Sequence, residues 1–252
     1  MEIKQIRNAT LKIKYGNVCF LIDPWFEEQG TGYSAKAIKV EMQGVKCPMN
    51  RLPESPYETI KGVDVCLVTH MHFDHFSSDC LPKDLKIIAQ NENDAKKIIE
   101  LGFTAVEVFD EKQITIGNVI INKTKAIHGD NELAVNKMGD VIGYVFESNN
   151  EKSLYLASDT VYCDEVKQTI DKYHPKVIIL NCCEATTPIG RLIMNLDDVE
   201  KVCEIDPNAT IIATHLNSVN HALVTRNDVK KFAKEKGLKQ IIVPEDGESI
   251  TI

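Results

Sequence analysis

The sequence predicts an α/β domain in which two packed sheets carry helices on their outer faces. Three observations predict it. Hairpin patterns dominate the first part of the 252-residue chain, strand–helix alternation dominates the second, and apolar strands repeatedly end on a histidine or an aspartate. No linker, low-complexity segment or short tandem repeat interrupts this order, so residues 1–252 are read as a single domain.

The first hairpin pairs "TLKIKY", which alternates apolar and polar residues, with the apolar "VCFLID" across a Gly16-Asn17 turn. Pro24 stops that ladder. Residues 25–57 show no periodicity, and a loop of that length inside a compact domain reads as a surface excursion or as a binding lid. "VDVCLVTH" is a continuous apolar run, as expected of a strand buried on both faces, and it delivers His70 at its end. "LKIIAQ" is a further buried strand, and "NDAKKIIELGF" is a helix stopped by Gly102. A second hairpin turns at Gly117-Asn118 and leads to His128; a third turns at Asn149-Asn150 and leads to Asp159. Then come the helix "EVKQTIDKY", the strand "KVIILN", the helix "LDDVEKVCEI" and the strand "ATIIATH", which ends at His215. "TRNDVKKFAKEKGL" is a helix with a Thr225/Asp228 capping pattern, and "KQIIVPEDGESITI" closes as strand, Asp246-Gly247 turn and strand.

Composition narrows the class. Hydrophobic residues are 43% and charged residues 26%, ordinary for a globular protein whose core needs no disulfide staples. The opening "MEIKQIRNAT" lacks the apolar core of a signal peptide, and no apolar run reaches the roughly 20 residues of a membrane helix. The expected location is therefore cytoplasmic, with the eight cysteines as free thiols. None form a C-x-x-C pair; Cys19, Cys66 and Cys203 read as buried packing residues, while Cys182-Cys183, which follow a strand, read as packing or as a pair nearer a site, packing being preferred because no partner is visible. A net charge of −8 without a lysine–arginine cluster argues against an extended nucleic-acid surface. A small-molecule substrate is expected, anionic if a local positive site steers it; oligomeric state stays open, a homo-oligomer included.

One local pattern stands above the rest: His70-Met71-His72-Phe73-Asp74-His75. Four candidate ligands fall in six residues directly after a buried strand, and three of the seven histidines crowd there. Imidazole and carboxylate suit borderline divalent ions. Alternation puts His70 and His72 on one side of an extended chain, and a turn can send Asp74 and His75 to a second position. His128, Asp159 and His215 share one kind of location, the C-terminal end of a strand, where strand ends on one rim can converge. Singly, each would be an ordinary loop residue.

These residues resemble the metallo-β-lactamase superfamily. Its H-x-H-x-D-H motif is matched without a gap by His70, His72, Asp74 and His75, and its later His, Asp and His by "AIHGD", "LASDT" and "ATHLN". "LIDPW" is similar to the family's early strand, with Asp23 as a supporting residue. Within the superfamily the chain looks closest to the branch containing bacterial ascorbate-6-phosphate lactonase, on "THLNSVNHALVTRNDV" and "VPEDGESI". Asn181-Cys182-Cys183 departs from the glycine expected after the strand.

The resemblance implies an αββα sandwich and two divalent metal ions, zinc or manganese. It assigns His70, His72 and His128 to one ion and Asp74, His75 and His215 to the other, with Asp159 bridging. His221 competes with His215 for the last position; failing that, it is a substrate-facing or supporting residue. A water whose pKa the ions lower would attack an ester, lactone or phosphodiester bond, with Asp74 accepting a proton. Arg191, Arg226 and His221 are candidate anion contacts, and Tyr33 and Arg51 candidates to close over substrate. The competing functions are an iron-dependent oxidoreductase of the persulfide-dioxygenase kind, a non-catalytic binding module, and a nuclease, the last opposed by the net charge.

Overall fold

The computed structural model describes residues 1–252. Six strands come first: β1 (Glu2–Arg7), β2 (Thr10–Tyr15), β3 (Val18–Ile22), β4 (Val65–Val68), β5 (Ile87–Ala89) and β6 (Val106–Val108). β1, β2 and β3 form an antiparallel meander, and β3 to β6 run parallel. Next are β7 (Gln113–Ile116), β8 (Val119–Lys125), β9 (Ile142–Glu147), β10 (Leu154–Leu156) and β11 (Val177–Asn181). A small ribbon, β12 (Thr186–Thr187) with β13 (Gly190–Arg191), precedes β14 (Thr210–Thr214), β15 (Ile241–Ile242) and β16 (Ser249–Thr251). One seven-stranded sheet has the order β16-β1-β2-β3-β4-β5-β6, the other β15-β14-β11-β10-β9-β8-β7.

Side-chain alternation along the strands creates the layers. Phe20 and Ile22 of β3, Leu67 of β4, Tyr144 and Phe146 of β9 and Val177 and Ile179 of β11 meet in the core between the sheets. Their neighbours point outward: Leu21, Cys66 and Val68 pack with Ala95 and Ile98 of α2 (Glu92–Glu100). On the other face Val145, Ile178 and Leu180 pack with Val166 and Ile170 of α4 (Asp164–Tyr173) and Val199 and Val202 of α5 (Leu196–Ile205). Each fully buried side chain of this kind contributes roughly 1.5–3 kcal/mol, so the pattern enforces helix–sheet–sheet–helix order. This is the metallo-β-lactamase fold, as expected. The remaining helices are α1 (Pro56–Ile60), α3 (Glu132–Met138) and α6 (Arg226–Lys236).

The three hairpins and most strands lie where the pattern puts them. Residues 2–7 add a strand, β1, between β16 and β2, which the sequence pattern does not predict; its alternation is broken by the consecutive buried Gln5, Ile6 and Arg7. α3, of 7 residues, and β6, of 3 residues, are too short for a periodic pattern to predict. β15 and β16, adjacent in sequence, belong to different sheets, because β16 returns to pair with β1. All eight cysteines are free. No helix is long and apolar enough to cross a membrane.

β8, β10, β11 and β14 run in one direction: β8 and β10 are both antiparallel to β9, and β10, β11 and β14 are mutually parallel. Their C-terminal ends therefore share one rim, and the loop after β4 meets them there.

Candidate metal centre

His70, His72 and His128 offer ring nitrogens that lie within 4.8 Å of one another, and the Asp74 carboxylate offers an oxygen equally close to ring nitrogens of His75 and His215. Asp159 stands between the two triplets. Its Oδ2 is 3.3 Å from His75 Nε2, 3.6 Å from His128 Nε2 and 3.9 Å from His70 Nε2, while its Oδ1 is 3.8 Å from His215 Nε2. Seven residues from four chain segments thus converge, all of them buried except the half-buried His72. Backbone strain accompanies the convergence: Ser158, just before Asp159, and His215 itself adopt left-handed φ values of 61° and 62°.

Each ring is turned by a hydrogen bond from its outer nitrogen, and this selects the tautomer. His128 Nδ1 donates to the Leu192 carbonyl at 2.9 Å, and His72 Nε2 to the Met138 carbonyl at 3.1 Å. The Thr69 hydroxyl donates to Asp23 Oδ2 at 2.7 Å, so it accepts from His70 Nδ1 at 3.0 Å. His75 Nδ1 donates to Asp23 Oδ2 at 2.8 Å. His215 Nδ1 contacts the Cys183 thiol at 3.4 Å. The inward Nε2 atoms of His70 and His75 are buried with no hydrogen-bond partner. An unpartnered buried acceptor is costly, and a cation is the partner that satisfies several at once. The donor set and its orphaned atoms fit a divalent ion.

Asp23, His70 and His75 also form a close triplet. Asp23 is nonetheless a supporting group, because Oδ2 is taken by His75 and Thr69 and Oδ1 accepts the Thr69 amide at 2.8 Å.

Electrostatics agree with a cation site. Burial drives His70 and His128 below their ordinary range, and drives His72 down to about 4 with help from His128. Burial also opposes charge on His75, but Asp159, Asp23 and Asp74 outweigh it and hold it up at about 10. His215 is raised in the same way, with Asp159 the main opponent of burial. Asp74 and Asp159 stay well below the carboxylate range despite burial, His75 being the largest stabilising neighbour of each. Protons on His75 and His215 stand in for the positive charge that the carboxylates require.

His215 Nε2 lies 3.1 Å from Asp74 Oδ2, whereas His221 joins neither triplet. His221 instead lines the cavity over the cluster, its ring centroid 6.4 Å from that of Phe73, with Nδ1 buried and unpartnered. That cavity holds about 340 Å³. Tyr33, Phe73, Met138, Ile189 and Leu192 wall it, and His72, Asp74, His128, Asp159 and His215 form its floor. A larger groove of about 630 Å³, lined by Glu27, Glu28, Arg51 and Glu54, contains none of the cluster.

The arginines expected near the substrate are elsewhere engaged. Arg191 pairs with Asp198 at 2.5 Å and the Ile193 carbonyl at 2.9 Å. Arg226 pairs with Asp246 and donates to the Pro244 carbonyl at 2.9 Å. Arg51 donates to Gln29 at 3.2 Å, in the separate groove. Tyr33 does reach the cavity.

Besides Thr69, the cluster is supported by Asn8, Asn181 and Cys183, none of them expected at the site as a supporting group. Asn8, in the β1–β2 turn, donates to Asp74 Oδ2 at 3.1 Å and sits 3.1 Å from His215 Nε2. Asn181 donates to Asp159 Oδ1 at 2.7 Å, which explains why an amide replaces the glycine expected there. Cys183, read as packing, touches His215 as well. Asn181 and Cys183, at the end of an apolar strand, carried a positional signal; Asn8 carried none.

An αββα fold with a His/Asp metal-binding site at one rim defines a metal-dependent hydrolase of the metallo-β-lactamase fold. A model of the family described as the Beta-lactamase superfamily domain matches residues 19–216. The UPF0173 protein YddR of Bacillus subtilis (strain 168) is 42% identical, over 100% of both chains. The chain belongs to the metallo-β-lactamase superfamily and, within it, to the UPF0173 metal-dependent hydrolases. A UPF0173 metal-dependent hydrolase of Nanoarchaeum equitans is 28% identical over 79% of this chain and 91% of its own. Among solved structures, isothiocyanate hydrolase from Delia radicum gut bacteria is 33% identical with a TM-score of 0.94, covering 100% of this chain and 99% of its own.

Proposed function

We propose that the protein hydrolyses small, uncharged electrophiles bearing an apolar group, with isothiocyanates as the substrate class. The observation that carries this reading is the cavity wall: Tyr33, Phe73, Met138, Ile189 and Leu192 surround the cluster, no arginine reaches it, and Lys36 is the one lysine in the lining. Arg191 and Arg226, the forks expected for a phosphodiester or phosphorylated lactone, are engaged by Asp198 and Asp246 instead. The C-terminal residues that carry the resemblance to the ascorbate-6-phosphate lactonase branch have structural duties here. Thr225 caps α6, Asp246 pairs with Arg226, and Glu248 accepts the Glu245 amide. The isothiocyanate hydrolase at 33% identity supports the substrate class, and the hydrolase names of the relatives support hydrolysis over iron-dependent oxidation.

In this reading His70, His72 and His128 hold one divalent ion and Asp74, His75 and His215 the other, zinc or manganese, with Asp159 between them. Bound ions would lower the pKa of a water and polarise the electrophile. The overall change adds one water to R–N=C=S and yields the amine and carbonyl sulfide. The water oxygen bonds to the central carbon, giving a thiocarbamate; proton transfer to nitrogen then allows the C–N bond to break. Asp74 Oδ2 accepts from Asn8, which leaves Oδ1 as the oxygen to accept the proton from water. His221, kept neutral by burial, faces the substrate and hydrogen-bonds its nitrogen or sulfur. Phe73, Met138 and Leu192 exclude bulk water around the apolar group.

The test is turnover of benzyl isothiocyanate by metal-reconstituted protein, measured as benzylamine release, beside p-nitrophenyl phosphodiesters and a lactone panel. His72→Ala serves as control. Isothiocyanate turnover that vanishes in the control is expected. Phosphodiester or lactone turnover exceeding it would overturn the substrate class.

A further inference from the structure

Residues 30–47 form a strap over the cavity mouth with almost no apolar anchorage of its own. Most of its side chains are exposed, Tyr33 at 58%, and only the small residues Ala35, Ala37 and Cys47 are buried. A segment without a buried apolar face is held by its hydrogen bonds. Those bonds converge on one fully buried side chain, Asn220. Its Oδ1 accepts the Ala35 amide at 3.1 Å, and its Nδ2 donates to the Ala35 carbonyl at 2.8 Å and the Met42 carbonyl at 3.0 Å. The Cys47 thiol donates to Asn220 Oδ1 at 3.4 Å and accepts the Asn220 amide at 3.2 Å. Cys47 in turn donates its own amide to the Tyr33 carbonyl at 3.0 Å. Tyr33 is therefore bracketed on both sides, through Ala35 and through Cys47.

Asn220 also precedes His221, so one residue joins the strap to the loop that carries a cavity-facing imidazole. On the other side of the mouth the Tyr33 ring lies 4.9 Å from Phe73, which lies 6.4 Å from His221. The aromatic wall closes only while the strap is held in register with the His215–His221 loop. We infer that Asn220 is a positioning residue that sets substrate selectivity by fixing Tyr33 as the outer wall of an apolar subsite for the substrate's side group. This rests on the isothiocyanate reading only for the choice of substrate probes.

The experiment uses Asn220→Ala, Tyr33→Ala and the double variant in metal-reconstituted protein. The kcat/KM ratio for benzyl over methyl isothiocyanate is expected to fall about tenfold in each single variant, through KM for the benzyl substrate, with metal content retained. In the double variant the loss should be no greater than in Tyr33→Ala alone, since Asn220 acts through Tyr33. A merely structural asparagine would lower both substrates together, leaving the ratio unchanged, and that result overturns the assignment. Fully additive losses overturn it too. If Asn220→Ala does not fold, an unchanged ratio in Tyr33→Ala overturns it and a collapsed ratio with Cys47→Ala supports it. If the wild-type protein turns over no isothiocyanate, the functional reading fails separately. Benzyl alcohol binding, weakened by Asn220→Ala alongside faster amide exchange at Ala35 and Cys47, then supports the subsite, and unchanged binding overturns it.

Discussion

Asp23 Oδ2 lies 2.8 Å from His75 Nδ1, with both groups buried and the carboxylate also bound by Thr69. This contact turns the His75 ring so that Nε2 faces Asp159 at 3.3 Å. Asp23 itself sits at a left-handed φ of 43°, just past β3, a conformation that costs energy and is retained at the site. Removing the carboxylate frees the ring and exposes an orphaned imidazole. Asp23→Ala is expected to weaken metal affinity by about 10- to 100-fold, measured by competition with a chelator. Wild-type affinity in that variant would show that Asp23 does not orient the ring.

Asp74 has one oxygen engaged by Asn8 and His215 and one without a protein partner. Asp74→Asn preserves the shape but cannot take up a proton. Turnover should fall by about 10²- to 10⁴-fold at full metal content, the range for loss of a positioned base. Near-normal turnover with metal retained would remove Asp74 from the proton-accepting role.

In the metal-free protein, His75 is held up at about 10 and His215 is raised as well, the carboxylates outweighing burial. A raised histidine stabilises the folded state fully below its ordinary pKa of about 6.5 and loses that contribution as pH rises through the folded value. The metal-free protein should therefore lose stability on passing from neutral pH towards about 10. Metal binding at neutral pH must displace these protons, so affinity should strengthen as pH rises, with release of about two protons per protein. Calorimetry in buffers of different ionisation enthalpy measures the release; an affinity that is flat with pH would contradict the electrostatics.

Trp25 is fully buried beneath the site. Its ring meets Phe73 edge-on at 6.1 Å, and the Arg7 guanidinium lies 4.8 Å above it while donating to its carbonyl at 2.6 Å. Trp25→Ala leaves a large cavity and takes the ring away from the guanidinium, which keeps its bond to the residue-25 carbonyl, and should cost about 3–5 kcal/mol. A denaturant titration checks this; a cost below about 1 kcal/mol would mean that the site collapses around the void.

α6 begins with a complete capping box, in which Thr225 and Asp228 satisfy each other's backbone amides at 3.3 Å and 2.9 Å. Thr225→Ala should cost about 1 kcal/mol and leave turnover unchanged. Thermal unfolding reads the first and the hydrolysis assay the second.

The local patterns settled the local questions. Alternation in "TLKIKY", "VCFLID" and "VIGYVFES" determines which side chains enter the inter-sheet core, and the His70 to His75 spacing determines that one loop can serve two triplets. Strand-end positions marked His128, Asp159 and His215 because a strand direction is a local property with a long reach. The tertiary structure alone decided what stands behind those residues. Asn8 and Asn220 lie 207 and five residues from His215, and their hydrogen bonds depend on pairings that no sequence period encodes. It also decided that Arg191 and Arg226 face Asp198 and Asp246 rather than the cavity, because an arginine's reach lets it choose among several partners until the packing around it is complete. Period and spacing specify which side chains share a face; only the closed fold specifies which buried polar groups must satisfy one another.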